Sequence, residues 1–325
     1  KTLAPVVRQQ KKQVLALTSR SKTVFIGKDE PTVIIGERIN PTGRKKLAAD
    51  IKEGNFMSVK KEALEQVQAG AHILDVNMGV GGIDQATAMN KAITEISQLV
   101  AVPLAIDTSD TKALEAGLKA YPGRALINSV SAEPERLTEF LPLAKKYGAA
   151  ILCLPIASDV PRTAPERVEI IKTIVNAAKK IGLTDTDFLL DALVMTVAAD
   201  EIAATETMQT LKAYREEFGY PSTMGLSNIS YGLPNRPLMN SIFFAMNVAC
   251  GLDAPIINPY DKTMQDVLLT SSALLGYDKN AKEYSLTEAN VETVVATATS
   301  PDTDILKEIK NAVKNGEKEL VADLV

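Results

Sequence analysis

PLAIDTSDTKALEAGL, residues 103–118, reads as a strand that ends on a carboxylate and a helix that starts on one. Residues 103–108 (PLAIDT) are apolar and β-rich until Asp107. Asp110 then stands at the entry of the next helix, where a short acceptor side chain can satisfy a free backbone N–H. One strand, one tight turn and one helix form the repeating unit of an α/β protein, and the fold depends on how often that unit recurs.

It recurs throughout the chain. Further β-rich runs lie at 32–39 (TVIIGERI), 72–77 (HILDVN), 124–130 (RALINSV), 149–155 (AAILCLP), 188–193 (FLLDAL), 222–228 (STMGLSN) and 254–259 (APIINP). The segments between them carry helical periodicity with start and stop signals. Val59, Ala63, Leu64 and Val67 mark one apolar face of a helix that Gly70 ends. Thr163-Ala-Pro-Glu166 is a capping box with an early proline, opening a helix that runs to about Gly182. Strand and helix alternating eight times predict an α/β protein with the (β/α)8 TIM-barrel fold. An open, doubly wound sheet is the alternative, disfavoured by the strand count and by the missing GxGxxG fingerprint.

The composition suits such a fold. The chain has 325 residues, 46% hydrophobic and 23% charged, enough to bury a full core. A net charge of -4 without a basic stripe argues against nucleic acid as a partner. No apolar run approaches the roughly 18 residues of a membrane span, and the start resembles no signal peptide. Cys153 and Cys250 stand far apart with no CxxC or histidine neighbour, which points to a reducing cytoplasm and away from a zinc site. The chain begins without methionine, so a fragment of a longer protein is expected.

Barrel proteins keep their sites at the C-terminal ends of the strands. Those ends read Glu37 with Asn40, Asp75 with Asn77, Asp107, Asn128, Asp191, Asn228 and Asn258; only ILCLP lacks a carboxylate or amide. Helix caps account for some of them, but not for a nearly complete ring. Ionised Asp only accepts hydrogen bonds, whereas Asn both donates and accepts. Together they can read a heterocycle edge that carries N–H, NH2 and C=O groups, as a pterin does. A metal is the competing use of Asp; it wants carboxylates clustered on one ion, and these are spread out, so no metal is expected. The single histidine, His72, starts a strand at the wrong end for chemistry and is expected to pack or face solvent. Arg44, Lys45, Lys46 and Arg236 are either a solvated surface cluster or an attraction for an anionic substrate tail.

GERINPTGRKK (36–46), LDVN (74–77), AIDTSDTKALEAGL (105–118), GRALINSVSAE (123–133), GLSNISYGLPNRPLMN (225–240) and GLDAPIINP (251–259) together resemble the pterin-binding methyltransferase family. Its members include the folate domain of cobalamin-dependent methionine synthase and the methyltetrahydrofolate:corrinoid/iron-sulfur protein methyltransferase. The resemblance implies that Asp107, Asn128, Asp191 and Asn228 hold the pterin, with Glu37, Asn40, Asp75, Asn77 and Arg236 near the mouth. It departs at LLDALV (189–194), where relatives often have Asp-Pro, and at Tyr231, where Phe is common.

The flanks favour the methionine synthase type. TLAPVVRQQKKQ (2–13) looks like a linker leaving a homocysteine-binding module, and DILKEIKNAVKNGEKELVADLV (304–325) like the start of a cobalamin cap. The implied organisation is a linker over 1–31, the barrel over 32–275, a second linker over 276–302 and a helical module from 303. The implied substrate is methyltetrahydrofolate, whose N5-methyl passes to a cobalamin supplied by another domain or a separate corrinoid protein. Asn228 and Asp107 are the residues implied for the chemistry. Dihydropteroate synthase, on the same barrel, and a non-catalytic pterin-binding module are the rivals. The first needs a basic pyrophosphate motif on the last strand, which IINPYDK does not resemble.

Overall fold

The structure is a computed structural model and describes residues 14–287. The 303–325 segment, expected as the start of a helical module, lies outside the described residues, as do 1–13. The chain divides into two compact units, Lys1–Ser271 and Ser272–Val325.

The first unit is a closed barrel of eight parallel strands. A hairpin of β1 (Leu15–Thr18) and β2 (Thr23–Ile26) precedes it. The barrel strands are β3 (Ile35–Ile39), β4 (Ile73–Asn77), β5 (Leu104–Asp107), β6 (Leu126–Val130), β7 (Ala150–Cys153), β8 (Phe188–Asp191), β9 (Ser222–Gly225) and β10 (Ala254–Ile257). They neighbour one another in chain order, and β10 closes on β3. The helices are α1 (Lys45–Lys52), α2 (Met57–Gln68), α3 (Gln85–Leu99), α4 (Thr111–Ala120), α5 (Pro134–Tyr147), α6 (Ala164–Lys180), α7 (Ala203–Glu217), α8 (Arg236–Ala249) and α9 (Lys262–Leu274). All eight expected strands are present. The expected caps are too: Asp110 accepts the Ala113 N–H at 2.8 Å, and Thr163 with Glu166 forms the capping box of α6.

Side chains alternate across a strand with period two, and here that period sorts the core into two layers. Leu74, Val76, Leu104, Ile106, Ile127 and Ile151 face outward and pack with helix residues such as Met89, Ala92 and Ile96. Ile35, Ile73, Ala105, Leu126, Ala150, Leu189 and Ala254 face inward and fill the barrel. Each fully buried aliphatic side chain contributes about 1.5–3 kcal/mol. The helix register differs from expectation at one place: α2 buries Val59, Ala63 and Gln66, while Leu64 is 39% exposed.

The segment expected as a linker holds the hairpin in its described half. Leu15, Leu17, Val24 and Ile26 join the inward cluster and stop the barrel at its N-terminal end. Tyr121 and Arg124 tie the hairpin down: the Tyr121 hydroxyl donates to the Thr18 carbonyl at 2.9 Å, and Arg124 Nη1 to the Ala16 carbonyl at 2.8 Å. Gly123 permits the close approach, because a Cβ there would stand 2.1 Å from the Thr18 carbonyl oxygen. His72 lies at this same end, where its Nδ1 accepts the Ile34 N–H at 3.0 Å. Burial, then the charge of Lys22, lower its pKa to about 4, so the imidazole stays a neutral acceptor.

In the second unit, the Asp278 carboxylate accepts the Glu283 and Tyr284 N–H groups at 3.1 and 2.9 Å. It thereby caps a helical turn over 282–287.

Candidate functional site at the barrel mouth

The inward apolar layer has a polar layer two residues further along nearly every strand. Ile73 is followed by Asp75 and Asn77, Ala105 by Asp107, Leu126 by Asn128, Leu189 by Asp191, Ile35 by Glu37. β7 continues apolar with Leu152 and Leu154, and β10 with Ile256, two residues on from Ala254. Strand pairing places Asn77 opposite Asp107, and Asp107 opposite Asn128. The Asn77 amide donates to Asp107 Oδ2 at 2.9 Å, and the Asn128 amide to Asp75 Oδ1 at 3.0 Å. These two amide–carboxylate bonds cross-link three neighbouring strands just inside the mouth.

Two strands bulge to present their polar residues. In β3 the register shifts between Gly36 and Ile39, so that Glu37 faces inward and Ile39 outward. Gln66, fully buried on α2, accepts the Arg38 N–H freed by that bulge at 2.9 Å. Gly36 leaves room for it, since a Cβ there would meet Gln66 Oε1 at 2.5 Å. A second register shift, in β6 between Ile127 and Val130, sits at Asn128. Bulges beside a site re-aim side chains in this way.

The carboxyls of the mouth are short of water and hold protons more tightly than usual. Burial raises the Asp75 pKa well above the ordinary range, and the nearby charge of Asp107 raises it further. Asp107 is raised less: burial pushes it up, while hydrogen bonds from Asn77 and Asp75 pull it back. In this pair Asp75 keeps the proton and donates to Asp107, which stays the acceptor facing the mouth. Burial raises Glu37 as well, opposed by Arg38 and Arg236. Burial lifts Asp191 to about 6, opposed by the Leu193 N–H, 2.7 Å from Oδ1, and by Arg167.

Asn228 lies in a 3₁₀ turn, Leu226–Ser230, immediately after β9, and is exposed. Its amide nitrogen packs over Gly225, where a Cβ would come within 3.1 Å. Among the described residues its side chain has no hydrogen-bond partner, so the amide is available to a ligand. Arg236 braces this turn: Nε donates to Ser230 Oγ at 3.0 Å and Nη2 to the Ser227 carbonyl at 2.9 Å. The other expected mouth residues are occupied locally. Asn40 Oδ1 accepts the Thr42 N–H and Asn258 Oδ1 the Tyr260 N–H, both of them turn-forming bonds. Arg44 pairs with Glu62, while Lys45 and Lys46 are exposed at the start of α1.

The mouth therefore joins Asp75, Asn77, Asp107 and Asn128 in one network, with Glu37 and Asp191 on the same inward layer. Among the described residues, no three His, Cys, Asp or Glu side chains gather as a metal ion would need. A groove of about 460 Å³ along α8, lined by Val197, Leu238, Ile242, Phe243 and Met246, holds no titratable lining residue. Chemistry is concentrated at the mouth.

Fold and mouth define a (β/α)8 barrel that carries buried carboxylates and amides on its C-terminal face. Residues 36–258 match the family described as pterin binding enzyme, and the chain belongs to that family. It is 30% identical over 262 residues to the methylcorrinoid:tetrahydrofolate methyltransferase of Eubacterium limosum, covering 78% of this chain and 94% of that one. It is 29% identical over 288 residues to methionine synthase of Mycobacterium tuberculosis, covering 83% of this chain but 24% of that one. The chain thus spans about a quarter of the mycobacterial protein's length. The structure of 7,8-dihydropteroate synthase from Vibrio fischeri shares the fold, with a TM-score of 0.60 at 17% identity over 80% of this chain and 98% of that one. No helix among the described residues is long and apolar enough to cross a membrane.

Proposed function

We propose that the chain binds 5-methyltetrahydrofolate at the barrel mouth and catalyses transfer of its N5-methyl group to a corrinoid, as the folate module of a cobalamin-dependent methionine synthase. The observation that carries this reading is the Asn77–Asp107–Asn128 rung above Asp75. It sets acceptors beside donors at the spacing of neighbouring strands, which suits the mixed N–H and C=O edge of a pterin. Membership in the pterin-binding family and the two methyltransferase-type relatives support it.

In this reading Asp107 and Asp191 accept pterin N–H groups, Asn128 shares that edge, and Asp75, Asn77 and Glu37 hold the acceptors in place. Asn40 and Arg236 fix the loops around them. The corrinoid, brought by a cobalamin-binding module of the same parent chain or by a separate protein, supplies the cobalt that takes the methyl group. N5 is a poor leaving group and must gain a proton, or a strong hydrogen bond, as the C–N bond breaks. Asn228 cannot provide the proton, because an amide does not titrate usefully. Its amide can donate to N5 or accept from N5–H, following the change in charge while water delivers the proton. A homocysteine-binding module would complete the parent enzyme, which we place in the cytoplasm.

The Eubacterium limosum relative, matched over 94% of its length, favours a second reading: a transferase working with a separate corrinoid protein. The chemistry at the mouth is the same. Methylation of added cob(I)alamin by methyltetrahydrofolate tests both against a non-catalytic pterin-binding module. The expected result is methylcobalamin and tetrahydrofolate in equal amounts, at a rate proportional to the chain. Folate binding without methylation above the protein-free rate would overturn the enzymatic reading.

A further inference from the structure

Arg167 on α6 is 1% exposed, yet among the described residues no carboxylate lies within ion-pair distance of it. Burying a guanidinium that way is costly unless hydrogen bonds and nearby charges offset it. Its Nη1 donates to the Ala192 carbonyl at 3.0 Å and to Thr210 Oγ1 at 3.3 Å, and its Nη2 to the Arg162 carbonyl at 3.4 Å. Ala192 directly follows Asp191. The same stretch is gripped from α7, where the Tyr214 hydroxyl donates to the Asp191 carbonyl at 3.0 Å and Thr207 Oγ1 to the Leu193 carbonyl at 3.4 Å. Leu193 itself sits at φ 54°, a left-handed backbone that leucine rarely adopts, and its N–H reaches the Asp191 side chain.

We infer that Arg167 is a positioning residue for Asp191: from behind the barrel wall it clamps the Ala192 carbonyl, so that the Asp191 carboxylate faces the mouth, and balances that carboxylate's charge. The inference rests on the reading of Asp191 as a pterin ligand. Three charged or titratable groups besides Asp191 act on Arg167: Tyr214 and Glu206 from α7, and Asp200 from the loop before it. Cys153 on β7 is a buried, protonated thiol, and the β9 neighbour Thr223 carries no charge. Arg167 is the cation that opposes the burial of Asp191.

Methyltetrahydrofolate affinity, measured from about pH 5 to 8, tests the inference in four proteins. In the unsubstituted chain, affinity falls as pH drops through the Asp191 titration near 6. Arg167→Met moves that acid limb upward, the direction expected when a nearby guanidinium is lost. Arg167→Lys keeps the charge without the planar fork, so affinity drops a few-fold while the limb stays in place. Asp191→Asn removes the part of the limb that Asp191 contributes and leaves only the part set by Asp107. If Arg167→Met does not fold, Arg167→Gln, which keeps an amide donor for the Ala192 carbonyl, carries the same expectation. A folded Met or Gln variant whose affinity is lower at every pH but whose limb is unmoved would overturn the inference. An Asp191→Asn protein with unchanged affinity and limb would instead overturn the placement of Asp191 in the ligand site.

Discussion

Asn228→Ala is expected to slow methyl transfer at saturating folate by roughly 100- to 1,000-fold, the effect of about 2.7–4 kcal/mol that one oriented group exerts on a barrier. The folate dissociation constant should rise less. The amide sits on an exposed turn and makes no bond within the protein among the described residues, so its removal leaves no internal partner unsatisfied. Its contribution then lies in what it does at N5, where charge changes between ground and transition states. Single-turnover methylation of cob(I)alamin, beside equilibrium binding, separates the two effects. A hundredfold loss of binding with an unchanged saturated rate would make Asn228 a ground-state ligand only.

Asp107→Asn and Asp191→Asn are expected to act mainly on binding. Each removes a charged acceptor, and a charge-assisted hydrogen bond contributes about 1.5–3 kcal/mol, or roughly 10- to 150-fold in affinity. The two should differ within that range. Burial still raises the Asp75 pKa once the Asp107 charge is gone, but Asp75 then ionises more easily than before, which softens the loss in part. Among the described residues no second carboxylate acts on Asp191, whose burial is opposed by the Leu193 N–H and Arg167, so its loss should fall at the upper end. Unchanged affinity in both variants would place the pocket elsewhere.

What could be read from the chain follows from what each residue's neighbours are. Asp107 and Asn128 were legible because the period of a strand and the polarity of a parallel barrel fix both their face and their end. The barrel itself was legible for the same reason. The hairpin was not: LALT and TVFI are joined by a short turn with no helix after either, so the strand–helix unit that marks the barrel strands is missing there. Gln66 was missed because a polar residue at a helix position reads as solvent-facing; its burial depends on a bulge in β3, which no periodicity announces. Leu64 misled in the opposite sense, being apolar and near the stripe but 39% exposed. Arg167 lies in the first turn of a well-capped helix, where a charge is ordinary, and only the packing of α6 against β8 and α7 buries it. Asn40 and Asn258 show the limit of counting polar residues at strand ends, since each is engaged in its own turn.

The barrel mouth is proposed to read the pterin by itself. Calorimetric titration of this chain with 5-methyltetrahydrofolate, in excess chelator and with cobalamin absent, tests it most directly. The predicted result is saturable binding at one folate per chain, weakened by Asp107→Asn and Asp191→Asn. Absence of binding until metal or cobalamin is restored would contradict it.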